Sequence, residues 1–325
     1  MKRFLKYFNV VLLLALASAL LYGTTHSRKI LDYLALRNYE PSAKIVELAN
    51  RTTMNDKTRN VFYVNHPELQ NKQQFKNSCT EQEQTIVLGC FITNEGIYLL
   101  IVSDPRLAGI VEVTTAHEVL HAMYDRLSND ERNNVDKMTN DFFNKLDNPR
   151  IKQNIENYRK KDPKIVPNEL HSILASEVRD LSPELETYYA KYFKDRKAVV
   201  DMSEKYEKTF TDIENQVKSY DEQLKNLKVE LEAKEQKIKI LDTRINSERQ
   251  RLDSLIKANR IDEYNASVEG FNALILEFNK IVNMRQAQAD EYNRIVDEYN
   301  KLATTEQDLV KQLKTNEIQT IDQAQ

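Results

Sequence analysis

Two histidines and a glutamate fall within five residues, His117-Glu118-Val119-Leu120-His121. Positions four apart on an α-helix face the same way, so both imidazoles can reach one cation. The acid beside the first histidine then lies next to the cation's open position. There it can take a proton from water, whose pKa Zn²⁺ lowers, and hand it to a leaving amine. The spacing therefore points to zinc-assisted amide hydrolysis, with His117 and His121 as ligands and Glu118 as general base. Five histidines and 50 acidic residues among 325 positions give the pattern by chance only about 0.01 times. The competing reading is an amphipathic helix with incidental histidines.

A catalytic zinc normally has three protein ligands plus water, and no histidine follows His121 at short spacing. The third ligand must come from farther along, and Val166–Leu181 is the best region. It opens with Pro167-Asn168, a good helix start. At 100° per residue Leu170, Ile173, Leu174, Val178 and Leu181 form one apolar face, with Glu177 in its middle. A carboxylate aimed into a core is costly unless paired or metal-bound. Glu177 is thus the expected third ligand, a buried ion pair is its alternative role, and Glu169 and His171, at the two margins of the face, are the fallbacks. Tyr188, Tyr189 and Tyr192 follow and could donate to a tetrahedral oxyanion, or else pack as aromatics beneath the ligand helix. His26 and His66 read as surface or structural residues.

Several elements must position these groups. Pro41–Arg51 has the apolar spacing of a short helix. Residues 61–64, 85–93 and 96–102 are rich in β-branched and aromatic side chains and read as extended runs. Thr93-Asn-Glu-Gly96 is a hairpin-type turn joining the last two. From Ile110 to Leu127 the pattern becomes helical and carries the His-Glu-Val-Leu-His motif.

That motif, with a distant helix-borne glutamate, resembles the gluzincin class of zinc metallopeptidases. The resemblance covers about residues 85–195 and is sharp only at the five-residue motif. It implies a small twisted sheet, a motif helix and a ligand helix, with Gly96–Val102 as the edge strand that receives peptide by strand addition. The Ala175-Ser176-Glu177 setting resembles the ligand glutamate of the anthrax lethal factor group. Asn168-Glu169 resembles the thermolysin pattern, which expects an aspartate four residues on, where Ile173 stands instead.

The N-terminus places Lys2, Arg3 and Lys6 before an apolar run from Tyr7 to Gly23, the grammar of a signal peptide or signal-anchor. Ala17-Ser18-Ala19 favours cleavage, whereas Leu20, Leu21 and Tyr22 continue the apolar run and favour retention. Either fate places the rest of the chain outside the cytoplasm, secreted or membrane-anchored. Cys79 and Cys90, the only cysteines, fit one disulfide in that compartment, the alternative being two reduced thiols.

Beyond residue 196 there is no proline and Gly270 is the single glycine, so long helices are expected. Apolar positions from Ile213 to Leu255 step alternately by four and three, with Lys234 and Glu248 as polar interruptions. A second seam runs Tyr264, Val268, Phe271, Ile275, Phe278, Val282, Arg285, Ala289, Tyr292, Val296, Tyr299. Within it an aromatic-Asn pair recurs every seven residues, broken only at Arg285-Gln286. Asn259 lies between the seams, where the chain can turn back.

The expected fold class is α+β: a signal or anchor at 1–23, a zincin-like metallopeptidase domain at 24–195, an antiparallel α-helical coiled-coil hairpin at 196–315 and a disordered tail at 316–325. The expected activity is zinc-dependent hydrolysis of peptide or protein substrates outside the cytoplasm. A second reading is an inactive metallopeptidase-fold scaffold that binds through its coiled coil, although an intact Glu118 argues against it. The hairpin offers a surface for self-association or an envelope partner. A net charge of −3 supplies no basic field for nucleic acid.

Overall fold

The computed structural model describes residues 27–37, 39–79 and 87–314. The signal or anchor expected at 1–23, His26 and the tail expected at 316–325 lie outside these residues. Among the described residues no helix is long and apolar enough to cross a membrane. The chain is α+β and largely helical. It divides into two compact units, one comprising the chain to Thr209 and from Leu309 onward, the other Phe210–Asp308.

The first unit begins with α1 (Ser27–Arg37), α2 (Ala43–Arg51) and α3 (Asp56–Val64). Ser42 and Asn55 cap α2 and α3 by accepting from the backbone N–H groups of Ile45 and Thr58. The residues 61–64 expected as an extended run are the last turn of α3. Thr58, Val61 and Phe62 are buried on one face, so a helical i, i+3, i+4 stripe, begun by the Asn55 cap, overrides the β-branched composition of four residues.

The sheet has three strands in the order β1-β3-β2. They are β1 (Glu68–Gln70), β2 (Gly89–Ile92) and β3 (Gly96–Leu100), with α4 (Lys72–Ser78) after β1. β2 and β3 form the expected hairpin with Ile92 opposite Gly96, while β1 runs parallel to β3. The expectation that peptide adds along Gly96–Val102 is corrected here. β3 is the middle strand, paired with β1 on one side and β2 on the other, so among the described residues Gly96–Leu100 is not an edge open to a guest strand.

The chain then enters α5 (Ile110–Asp125), which carries the motif. Gly109 precedes it with φ 105°, and a β-carbon there would stand 2.9 Å from Met202 Cβ. Both the left-handed backbone and the close neighbour require glycine. α5 is buried on nearly every side, with Ala116, Val119, Leu120, Ala122 and Met123 in the core. α6 (Asn129–Phe143), α7 (Pro149–Lys161), α8 (Val166–Glu177) and α9 (Pro183–Tyr189) follow, and α8 packs along α5.

α8 stops at Glu177 because Val178 is extended, at φ −107° and ψ 120°. Arg196, at the start of α10 (Arg196–Lys257), satisfies the carbonyls left open there. Its guanidinium donates to the carbonyls of Ala175 (3.1 Å), Val178 (2.6 Å) and Arg179 (2.7 Å) and pairs with Glu186 at 2.5 Å. A buried cation thus ends the ligand helix at a fixed residue.

Within the second unit α10 turns back into α11 (Ile261–Leu313). Asn259 adopts φ 59°. Its N–H donates to Ile256 O at 3.0 Å and that of Arg260 to Leu255 O at 2.9 Å, the Schellman pattern with asparagine as the left-handed residue. Lys237 pairs with Glu277 across the hairpin at 2.8 Å, and Gln288 bonds Glu230. The α10 seam buries Ile213, Leu241, Ile245, Leu252 and Leu255. On α11 Ile281 and Ile295 are buried, while Val282 is 36% exposed. Of the second seam expected from the sequence, Val282 alone is exposed and the other ten positions, Tyr264 to Tyr299, are half-buried. The paired asparagines 265, 272, 279, 293 and 300 are all exposed.

Candidate metal centre

The motif helix presents His117 and His121 one turn apart, their ring centroids 4.6 Å apart and planes 82° from parallel. α8 crosses this face and brings the carboxylate of Glu169 to both rings. Glu169 Oε2 lies 3.4 Å from His117 Nε2, and Oε1 lies 3.7 Å from His121 Nε2. Ligand atoms of His117, His121 and Glu169 all fall within 4.8 Å of one another, a group able to hold one metal ion.

The group fits a cation for a second reason. Glu169 Oε2 is buried and lacks a hydrogen bond of good geometry, an arrangement that costs free energy unless a charge settles it. Burial alone would lower the His117 pKa, but the facing Glu169 carboxylate outweighs it and raises it above the ordinary histidine value. Burial would likewise raise Glu169, yet the charges of His121 and His117 and hydrogen bonds that include the Tyr158 hydroxyl hold it below the ordinary carboxyl value.

The expected third ligand, Glu177, is not in this group. It is the last residue of α8, and its Oε2 accepts from Arg150 Nη1 at 2.8 Å. The other arm of Arg150 pairs with Glu207 at 2.6 Å. Guanidinium, rather than metal, compensates the half-buried carboxylate. Glu169, ranked as a fallback at the margin of the apolar face, is the carboxylate that joins His117 and His121 in the candidate group. His171, the other fallback, points away, with Nε2 3.0 Å from the Tyr188 hydroxyl. Burial, followed by the charges of His121 and His117, pushes its pKa down to about 3, so its ring is neutral.

Tyr188, Tyr189 and Tyr192 gather around His171 rather than the ligand triad. The Tyr188 and Tyr192 hydroxyls are 2.8 Å apart, and Tyr189 donates to His171 O at 2.9 Å. Their ring contacts are those of the aromatic packing beneath α8. His66 is structural: it stacks on Tyr39 at 4.7 Å, with Nε2 3.0 Å from Ala35 O.

Glu118 is 5% exposed and lies against β2. A β-carbon at Gly89 would stand 2.7 Å from Glu118 Cγ and 2.6 Å from Thr114 Cγ2. The outer strand thus approaches the expected base through a residue with no side chain. Cys90, next along the strand, is bonded to Cys79, the pairing expected from the sequence.

Sequence reasoning missed Ser172, Tyr158 and Gly89. Ser172 had a signal: it is three residues from Glu169 and so shares its helix face. Tyr158 and Gly89 had none, because they come from separate elements. Compared with family models, curated proteins and solved structures, the chain matches none.

Proposed function

We propose that this chain is a zinc-dependent peptidase acting on peptide or protein substrates outside the cytoplasm. The observation that carries the reading is the Glu169 carboxylate facing both Nε2 atoms of a His-Glu-Val-Leu-His helix, at 3.4 and 3.7 Å. Two imidazoles and one carboxylate are the donor set of a catalytic zinc site that keeps a position open for water. When bound, Zn²⁺ supplies the Lewis acidity that lowers the pKa of water and polarises the scissile carbonyl.

The remaining chemistry belongs to the chain. His117, His121 and Glu169 would hold the ion with a net ligand charge of −1, which would leave it electrophilic. Glu118, adjacent to His117 and packed on β2, takes the proton from the attacking water. It then delivers that proton to the departing amine as the amide C–N bond breaks. Burial of the acid lowers the local dielectric and strengthens its hydrogen bond to water. The Cys79–Cys90 disulfide is in keeping with an oxidising compartment.

The test is metal analysis of the purified chain together with a peptide-library cleavage profile of the parent and Glu118→Gln. About one zinc per chain, with cleavage in the parent only, supports the proposal. A parent that binds no zinc after zinc-supplemented refolding removes it.

A further inference from the structure

The triad sits on a buried outer layer of hydroxyl groups. Both Nε2 atoms face Glu169, so the tautomer that offers Nε2 to a cation carries its proton on Nδ1. In His121 that nitrogen lies 3.2 Å from the Ser172 hydroxyl oxygen. Ser172 is completely buried, so the Nδ1–H has a fixed acceptor that water does not contest. Glu169 accepts from the hydroxyl of Tyr158. One metal-facing ring is therefore held from behind by a neutral hydroxyl on α8, and the metal-facing carboxylate has a hydroxyl partner on α7.

We infer that Ser172 and Tyr158 are positioning residues of the metal centre, Ser172 fixing the ring and tautomer of His121 and Tyr158 fixing the Glu169 carboxylate. The inference rests on the zinc reading. Ligating imidazoles generally give their second N–H to a carboxylate, carbonyl or water, and loss of that partner typically weakens metal binding 10–100-fold. A hydroxyl holds the ring as firmly in direction but adds no negative charge. The ion then keeps more of its positive charge for water and substrate than it would behind an Asp–His pair. The geometry separates this role from simple packing, because Ser176, one turn along α8, is equally buried but donates to the carbonyl of Ser172 at 2.8 Å.

The experiment is Zn²⁺ titration of the metal-free full chain against a competing chelating indicator, with thermal melting of the metal-free and zinc-loaded forms. The proteins are the parent, Ser172→Ala, Tyr158→Phe and Ser176→Ala. Zinc affinity should fall about 10–100-fold in Ser172→Ala and about tenfold in Tyr158→Phe. The zinc-induced rise in melting temperature should shrink in both and persist in Ser176→Ala. If Ser172→Ala does not fold, Tyr158→Phe decides. Affinities within twofold of the parent overturn the inference, as does equal lowering of both melting temperatures, which marks a packing role. A parent that binds no zinc overturns the metal reading itself and this inference with it, whereas a parent that binds alongside indifferent variants overturns the inference alone.

Discussion

Gly89 lies so close to Glu118 that a β-carbon on the strand residue would stand 2.7 Å from the acid's Cγ and 2.9 Å from its Oε1. Sheet and motif helix meet at the residue proposed as general base, and the missing side chain sets its position. Gly89→Ala should displace Glu118 while leaving His117, His121 and Glu169 in place. The expected result is near-parental zinc binding, at least tenfold slower peptide cleavage and a stability loss of about 1–3 kcal/mol from overpacking. Undiminished cleavage would mean that Glu118 is not held by this contact.

Glu118→Gln is the cleaner removal of the base. The amide is close in size but cannot accept the water's proton. Turnover should drop by about 10²–10⁴ with zinc content unchanged, as read by metal analysis of the same sample used for kinetics. A variant that cleaves as fast as the parent would reassign the base.

The two carboxylates of α8 should behave oppositely. Glu169→Ala removes a donor 3.4 Å from His117 and should abolish stoichiometric zinc binding. Glu177→Ala leaves the triad whole but strips Arg150 of a partner at 2.8 Å. It should retain zinc while losing about 1–3 kcal/mol of stability in denaturant titration. The reverse order of zinc affinities would restore Glu177 as ligand.

Stability of the metal-free protein should depend on pH through His117 and Glu169. The pKa of His117 is raised above 6.5 in the fold and that of Glu169 is lowered below 4.5. Stabilisation from the histidine is complete below 6.5 and is lost as pH rises through its folded pKa. That from the carboxylate is complete above 4.5 and is lost as pH falls through its folded value. The pair therefore contributes most between those limits. The difference in denaturation midpoint between chelator-treated parent and Glu169→Gln should peak in that window, and a difference independent of pH would refute the pairing.

Reduction should weaken the fold around β2. The Cys79–Cys90 bond closes a sequence separation of 11, a loop whose cross-link is worth about 3 kcal/mol through the unfolded chain. The Cys79→Ser, Cys90→Ser double variant should lose about that much in equilibrium unfolding, and a loss under about 0.5 kcal/mol would show that the link does not constrain the unfolded state.

Short-range periodicity settled much of this protein in advance. The four-residue spacing of His117 and His121, the turn from Thr93 to Gly96, the Asn259 reversal and the seam of α10 follow from local geometry that a sequence carries directly. The carboxylate that joins the two histidines did not, because helical phase ranks positions by how centrally they face a core and says nothing about which neighbour waits there. Glu177 sat at the centre of its face and met Arg150 from another helix, whereas Glu169 sat at the margin and met two imidazoles. Residues 61–64 read as strand by composition and became helix once the Asn55 cap and the burial of Val61 and Phe62 acted over a longer window. The middle place of β3, the approach of Gly89 to Glu118 and the Ser172 hydroxyl behind His121 all depend on which elements pack together. Packing joins residues distant in the chain through burial and charge, and only the folded structure decides those partners.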